Sequence, residues 1–218
     1  MRLQSAIFDM DGTLLDSMPT WRELGPTFLK EAGITATPEQ DRMLHILADC
    51  DVIPYLREVC GLPWSQQEII DQIIQRMETF YSSQVRPKPG LEKFLSILKM
   101  EGVWMYVATA TDRRLAEAAL RCAGIDGYFR GLITCADVGA SKEDSPAVYE
   151  SAMRRLQSNK RDTVVFEDAL HAIRTAKAAG FRVAGVYEAT AEQDQPEIQR
   201  LCDYYIRSYE ELVQSETF

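Results

Sequence analysis

Short apolar runs alternate along this chain with longer segments in which apolar residues recur at helical spacing. Each run is rich in valine, isoleucine or aromatic residues and is followed by small polar residues, which is typical of a mostly buried strand. This pattern predicts strands at 6–8, 104–108, 132–133, 163–166, 182–186 and 204–206.

From residue 103 onward, the predicted strands alternate with predicted helices. The helical period covers 91–100, 114–123, 147–156 and 169–179. Glycines 102, 124 and 180 each follow such a segment, where helices commonly end. Because a repeated strand–helix–strand order produces parallel strands with crossover helices, we expect an α/β fold with a Rossmann-like parallel sheet flanked by helices.

Residues 16–86 interrupt this alternation. They show helical patterns at 21–32, 38–48, 52–60 and 66–82 and no convincing strand. The motif Arg-Pro-Lys-Pro-Gly at 86–90 then marks the return to the sheet, because its prolines disfavour a helix. We therefore predict two domains, with residues 1–15 and 87–218 forming the core and residues 16–86 forming an inserted, all-helical cap.

Composition narrows the class of protein. The 218 residues carry a formal net charge of −9, which argues against binding to nucleic acid. The five cysteines are an odd number without a C-x-x-C motif, and with only two histidines they indicate reduced thiols in a cytosolic protein, without disulfides or a zinc site. No apolar run approaches the ~18 residues of a membrane span. We expect a cytoplasmic monomer without membrane or nucleic-acid partners.

Polar side chains follow several predicted strands at the point where each strand ends. In an open parallel sheet, ligands bind beyond the carboxyl ends of the strands. An acidic chain repels anionic substrates at long range, so a lysine at this edge could supply local attraction for an anion. The polar residues collected at this edge are Asp9, Asp11, Thr109, Thr111, Lys142, Glu167 and Asp168.

Each of these motifs also has a purely structural interpretation. Asp9-Met10-Asp11-Gly12 could be a calcium loop or a plain turn, although position twelve of an EF-hand loop would be Thr20 instead of the required glutamate. Glu167 and Asp168 could simply cap a helix, and Lys142 alone could be a solvated lysine. The joint arrangement at one sheet edge favours a functional site.

With these residues the chain resembles the haloacid dehalogenase superfamily of phosphohydrolases. The resemblance rests on Asp9-Met10-Asp11-Gly12-Thr13, on Thr109 after its strand, on Lys142 and on Glu167-Asp168. It extends over nearly the whole chain and includes a helical cap in the C1 position, as in the phosphoglycolate phosphatase and β-phosphoglucomutase-like group. The resemblance implies a Mg²⁺-dependent phosphatase that acts on a small phosphorylated metabolite.

The resemblance also implies roles for individual residues. Asp9 would be the nucleophile that forms an aspartyl phosphate, and Asp11 would be the general acid and then the base. Asp9, Asp168 and the backbone carbonyl of Asp11 would hold the metal, and Glu167 would support them.

The remaining residues of the motifs would bind the phosphoryl group. Thr109, the backbone N–H of Ala110 and the ammonium group of Lys142 would contact its oxygens and stabilise the developing charge. Lys142 is followed by Glu143, where relatives usually have proline.

Several alternatives remain at this point. A sugar-phosphate mutase would typically have a histidine shortly after the first motif and a Gly-x-Ser-Arg motif in the cap, whereas residues 16–21 contain no histidine and the cap shows His45-Ile46-Leu47-Ala48. A phospho-signalling module of receiver type would carry its phosphorylated aspartate after a later strand. A binding protein without turnover would retain the same fold. The identity of the substrate is also open, among sugar phosphates, phosphoglycolate-like acids and nucleotides.

Overall fold

The computed structural model describes residues 3–44 and 49–214, without the side chains of residues 49–51 and 214. The strands are β1 Ser5–Phe8, β2 Trp104–Thr109, β3 Leu132–Thr134, β4 Thr163–Glu167, β5 Arg182–Val186 and β6 Tyr204–Ile206. The helices are α1 Met18–Glu31, α2 Pro38–Leu44, α3 Asp49–Glu58, α4 Gln66–Ser83, α5 Leu91–Met100, α6 Arg113–Cys122, α7 Cys135–Val138, α8 Ala147–Arg155, α9 Leu170–Ala178, α10 Gln195–Leu201 and α11 Tyr209–Gln214.

The strands form one parallel sheet. Its order is β3-β2-β1-β4-β5-β6, so that β1 lies at the centre between β2 and β4. Ser5 is paired with Trp104 on one side and with Thr163 on the other. The predicted α/β class with a parallel sheet is confirmed, and each predicted strand is present.

Both faces of the sheet are covered, which explains why its strands read as continuous apolar runs. On one face, Ile7 packs in a cluster with Tyr149 of α8 and Ile173 of α9. On the other face, the ring of Phe8 stacks on that of Phe166, with the ring centroids 4.3 Å apart. The ring centroid of Phe94 in α5 lies 5.8 Å from that of Phe166. Burial of each such side chain contributes about 1.5–3 kcal/mol.

The chain divides into two compact units, Met1–Asp16 with Tyr81–Phe218, and Ser17–Phe80. We call the first the sheet unit and the second the helical unit. The described regular elements of the helical unit are all helices, and in its interior the rings of Phe28 and Trp64 lie 5.5 Å apart. The exact domain limits given above stay a prediction. Of the predicted helix at 38–48, residues 45–48, with His45, lie outside the described residues.

The two chain segments that leave and re-enter the sheet unit pair with each other. Leu15 forms an antiparallel bridge with Pro87, and the N–H of Asp16 donates to the carbonyl of Arg86 at 3.0 Å. The N–H of Lys88 donates to the carbonyl of Leu14 at 2.9 Å. The first and last parts of the sheet unit are therefore joined beside the carboxyl end of β1.

Three short helices were absent from the predicted set: α7, α10 and α11. Their lengths are 4, 7 and 6 residues, too short for a periodic apolar pattern to stand out. Of the described side chains, those of Cys60, Cys122, Cys135 and Cys202 are free thiols. Within residues 3–44 and 49–214, no helix is long and apolar enough to cross a membrane.

Candidate active site

The first motif lies in a tight turn directly after β1. The N–H of Asp9 donates to the carbonyl of Phe166 at 2.9 Å, which fixes Asp9 beside the end of β4. The carbonyl of Met10 then accepts hydrogen bonds from the N–H groups of Leu14 and Leu15, both at 2.9 Å. The chain therefore folds back at once, and Asp9 is buried at the centre of the sheet edge.

Gly12 is required at this turn for two reasons. Its φ is +82°, in the left-handed region that side chains rarely adopt. A Cβ at this position would also lie 2.7 Å from Cγ of Asp168. The backbone of Gly12 thus packs directly against the side chain of Asp168, and only glycine leaves enough space for this contact.

Asp168 is buried and is held by Thr13. The Thr13 hydroxyl donates to Oδ1 of Asp168 at 2.7 Å. Burial, followed by the nearby charges of Glu167 and Asp9, raises the pKa of Asp168 well above its ordinary value, and the hydrogen bond from Thr13 opposes this shift. The hydrogen bond from Thr13 therefore offsets only part of the cost of a buried charge on Asp168.

Glu167 uses both carboxylate oxygens to bind protein donors. Its Oε1 accepts from Nζ of Lys142 at 2.7 Å and from the hydroxyl of Tyr149 at 2.8 Å. Its Oε2 accepts from the N–H groups of Asp168 and Ala169 at 2.9 and 3.1 Å. Burial raises the pKa of Glu167, but Lys142 and these hydrogen bonds outweigh it, so the net shift is downward.

Lys142 also donates to Oδ1 of Asp9, so that one ammonium group bridges two buried carboxylates. Burial lowers the pKa of Lys142, but its ion pairs with Asp9 and Glu167 outweigh that effect and raise it overall. Burial raises the pKa of Asp9 to about 8, with Lys142 opposing the shift and Glu167 and Asp11 adding to it. The solvated-lysine interpretation is wrong, because Lys142 is only 6% exposed.

The acidic cluster is suited to a hard divalent cation. Within the described part of the chain, Asp9, Glu167 and Asp168 offer ligand atoms that all lie within 4.8 Å of one another. The donors are all carboxylate oxygens, the type that Mg²⁺ and Ca²⁺ prefer. Burial is the main cause that raises the pKa values of Asp9 and Asp168, so a bound cation would favour their ionised forms. Since both oxygens of Glu167 bind protein donors, Asp9 and Asp168 are the better suited ligands.

Two hydroxyl groups from other parts of the chain bind the carboxylate of Asp11, beside this cluster. Its Oδ1 accepts from the Tyr81 hydroxyl at 2.5 Å, and its Oδ2 accepts from the Thr111 hydroxyl at 2.7 Å. The N–H of Thr111 donates to Oγ1 of the buried Thr109 at 3.1 Å, whereas Ala110 between them is exposed. The loop after β2 therefore connects Thr109 with Asp11.

The structure thus brings Asp9, Lys142, Glu167 and Asp168 into one network at the carboxyl edge of the sheet, with Asp11 and Thr109 beside it. The sequence did not assign roles to Thr13, Tyr81 or Tyr149, although Thr13 belongs to the quoted motif. Tyr149 follows Lys142 by seven positions in a helical segment, where a tyrosine has the same pattern as a core residue.

A family model for haloacid dehalogenase-like hydrolases matches residues 6–186. The chain belongs to the haloacid dehalogenase-like hydrolase family. The match begins within β1 and ends with β5, and it therefore includes every residue of the network described above.

Relatives with assigned names support this placement. The chain is 27% identical over 185 residues to the phosphorylated carbohydrates phosphatase of Thermotoga maritima, covering 84% of this chain and 85% of that protein. It is 25% identical over 217 residues to hexitol phosphatase B of Escherichia coli K12, covering 97% and 95% of the two chains. A crystal structure described provisionally as a β-phosphoglucomutase, from Thermotoga maritima, has the same fold, with a TM-score of 0.81, 24% identity and 97% coverage of both chains.

These comparisons confirm the resemblance seen in the sequence. They also confirm the predicted class of enzyme, a hydrolase of phosphoric monoesters in the haloacid dehalogenase-like family. The alternative of a receiver-type signalling module is wrong, because the family match extends from β1 through β5.

Proposed function

We propose that this protein is a Mg²⁺-dependent phosphatase that hydrolyses a small phosphate monoester through an aspartyl phosphate on Asp9. The observation that supports this most strongly is the position of Asp9. It is buried at the central strand end, contacts Lys142, and lies within 4.8 Å of the carboxylate oxygens of Glu167 and Asp168.

Asp9 must attack phosphorus as a carboxylate. In the protein alone, burial opposes its ionisation, and Lys142 favours it. Asp9, Asp168 and the backbone carbonyl of Asp11 would hold Mg²⁺, which neutralises charge on the carboxylate and the phosphate so that the two anions can approach each other. Glu167 positions Lys142 and, through the backbone N–H groups it binds, the start of the segment that carries Asp168.

The first half-reaction breaks the ester bond. One oxygen of Asp9 forms a bond to phosphorus as the bond between phosphorus and the ester oxygen breaks. The departing alkoxide takes a proton from Asp11 and leaves as the alcohol. The hydroxyl of Thr109, the N–H of Ala110 and the ammonium group of Lys142 bind the phosphoryl oxygens and stabilise their charge.

In the second half-reaction, Asp11 is the base. It removes a proton from a water molecule that attacks phosphorus, the bond between phosphorus and Asp9 breaks, and inorganic phosphate and the free Asp9 carboxylate result. Asp11 therefore gains the proton that it donates in the next cycle.

The relatives support a class of substrate. Both named relatives are phosphatases, one of phosphorylated carbohydrates and one of the hexitol type. We therefore place the substrate among phosphorylated sugars or sugar alcohols. Mutase chemistry is less well supported, since the first motif is not followed by a histidine in residues 16–21 and the segment from His45 to Ala48 is not Gly-x-Ser-Arg.

The proposal is tested by the hydrolysis of p-nitrophenyl phosphate and a panel of sugar phosphates with and without Mg²⁺. We expect release of phosphate that requires Mg²⁺ and is lost in Asp9→Asn. Asp137→Asn, which removes an acid outside the site, is the control and should remain active. Folded wild-type protein that releases phosphate from none of these esters would contradict the proposal.

A further inference from the structure

We propose that Tyr81, together with Thr111, positions the carboxyl group of Asp11 for proton transfer. The hydroxyls of these two residues bind the two different oxygens of Asp11, at 2.5 and 2.7 Å. This inference rests on the proposed function, because it assigns the positioning of the general acid in that reaction.

The burial of Tyr81 makes its hydroxyl a well-defined partner. Tyr81 is 0% exposed, so its ring is enclosed by protein and its hydroxyl has little freedom to move. Thr111 is half-buried, in the loop after β2 that also carries Thr109. Hydrogen bonds to both oxygens of a carboxylate restrict rotation about the Cβ–Cγ bond. The carboxylate plane of Asp11 is therefore held in one orientation.

Hydroxyl groups suit a residue that changes its protonation state in every cycle. When Asp11 is ionised, both hydroxyls donate to it, as observed. When Asp11 carries a proton, the same hydroxyl that donated can accept, because tyrosine and threonine are both donors and acceptors. A lysine partner would lose this reversibility, since an ammonium group has no acceptor. Tyr81 and Thr111 can therefore hold Asp11 both as acid and as base.

The two partners come from distant parts of the chain. Tyr81 follows Asp11 by 70 residues and Thr111 follows it by 100. Tyr81 is two residues before the end of α4 at Ser83, just ahead of the segment in which Pro87 pairs with Leu15. The paired segments 14–16 and 86–88, which join the two parts of the sheet unit, therefore also hold the end of α4 that carries Tyr81.

The dependence of turnover on the leaving group tests this role. A p-nitrophenolate ion leaves without much help from an acid, whereas an alkoxide from a sugar phosphate needs the proton of Asp11. General acids contribute about 10²–10⁴-fold. The value of kcat/KM reports the steps up to ester cleavage and leaves out the hydrolysis of the aspartyl phosphate, in which Asp11 serves both esters alike. We expect Tyr81→Phe to lower kcat/KM for a hexose or hexitol phosphate by at least about 10-fold, and kcat/KM for p-nitrophenyl phosphate by less than about 3-fold.

Three further variants complete the experiment. Thr111→Val should show the same selective loss, and Thr111→Ser should restore activity, because it keeps the hydroxyl. Tyr205→Phe is the matched control, since it removes a tyrosine hydroxyl that donates to Gln195 at 2.7 Å in the outer part of the sheet. It should change the turnover of both esters equally and by little.

The outcomes separate the two proposals. A selective loss for the alkyl ester in Tyr81→Phe or, where that variant does not fold, in Thr111→Val supports the inference. Wild-type turnover of both esters, with a kcat/KM that in the variants falls equally for both esters or falls for neither, overturns the inference and leaves the proposed function intact. Absence of wild-type turnover of either ester overturns both.

Discussion

The hydroxyl of Thr13 donates a hydrogen bond to Oδ1 of Asp168 at 2.7 Å and so joins two residues 155 positions apart in the chain. Both side chains are buried, so the contact is shielded from water. It fixes the orientation of a carboxylate that we assign to the metal site. The last residue of the first motif thus acts on the last acid of the site.

Loss of the Thr13 hydroxyl should weaken metal binding. Groups that orient metal ligands typically contribute 10–100-fold to metal affinity. We therefore expect Thr13→Val to raise the Mg²⁺ concentration for half-maximal phosphatase activity by at least about 10-fold, and Thr13→Ser to restore it. Thr163→Val, which removes a buried hydroxyl at the other end of β4, is the control. An unchanged Mg²⁺ requirement in Thr13→Val would show that Asp168 is oriented by other contacts.

Substitution of Gly12 should damage the site more than substitution of a glycine with a similar backbone. Gly12 and Gly124 have φ values of +82° and +71°, but nothing lies within 4 Å of a Cβ at Gly124, whereas one at Gly12 would overlap Asp168. Both alanine variants should lose about 1–2 kcal/mol of unfolding free energy through the left-handed backbone. Only Gly12→Ala should also lose phosphatase activity. The comparison requires urea unfolding and turnover of both variants, and equal activity in the two would contradict the assigned contact.

Mg²⁺ should stabilise the folded protein even without substrate. A ligand at 100 times its dissociation constant adds about 2.7 kcal/mol of unfolding free energy. For a chain of this size, each kcal/mol raises the Tm by about 2–4 °C. We expect a rise in Tm of about 5–10 °C at saturating Mg²⁺, which Asp168→Asn abolishes and Asp137→Asn retains. A scan in which wild type and Asp168→Asn respond alike would place the ion elsewhere.

Asp137 should stabilise the protein in a pH-dependent manner. The hydrogen bond from the N–H of Thr134, at 2.8 Å, lowers the pKa of Asp137 most; burial opposes it, and Arg113, at 2.7 Å, adds to it. Because the folded pKa is below the unfolded value of about 3.9, this stabilisation is complete above that pH and is lost as the pH falls through the folded pKa.

We therefore expect Asp137→Asn to lose about 1 kcal/mol of unfolding free energy at pH 7. The difference from wild type should shrink below about pH 4. Urea unfolding of both proteins at a series of pH values measures this difference in the free energy of unfolding. Asp126→Asn, which removes one exposed carboxylate, should stay within about 0.5 kcal/mol of wild type at each pH. If Asp137→Asn loses the same free energy of unfolding at low pH as at pH 7, the ionised carboxylate of Asp137 does not contribute to stability.

The sequence was informative where one residue type has one physical meaning. Apolar runs such as Val164–Phe166 are typical of buried strands, and carboxylates directly after them mark the sheet edge. The strands and the acidic residues Asp9, Glu167 and Asp168 could therefore be predicted from local patterns. The order of the strands could not, because it depends on which long-range pairs form.

The side chains that hydrogen-bond to the site acids could not be predicted from the sequence, for a different reason. Tyr81 and Tyr149 occur in helical segments, where a tyrosine that packs and a tyrosine that donates a hydrogen bond have the same spacing. Thr13 is part of a recognised motif, but its partner Asp168 follows only after folding. Similarly, the burial of Lys142 follows from two carboxylates that approach it from different strands, and its own neighbours in the sequence are polar.

The identity of the phosphorylated residue tests the central claim most directly. Asp11→Asn lacks the proposed base for hydrolysis, so mixing it with p-nitrophenyl phosphate and Mg²⁺ should accumulate the acyl phosphate. Reduction with borohydride and peptide mapping then locate it. We predict that the modification is on Asp9 and is absent when Asp9→Asn is added to the variant. Modification of another carboxylate, or release of phosphate without any trapped intermediate in Asp11→Asn, would contradict the account.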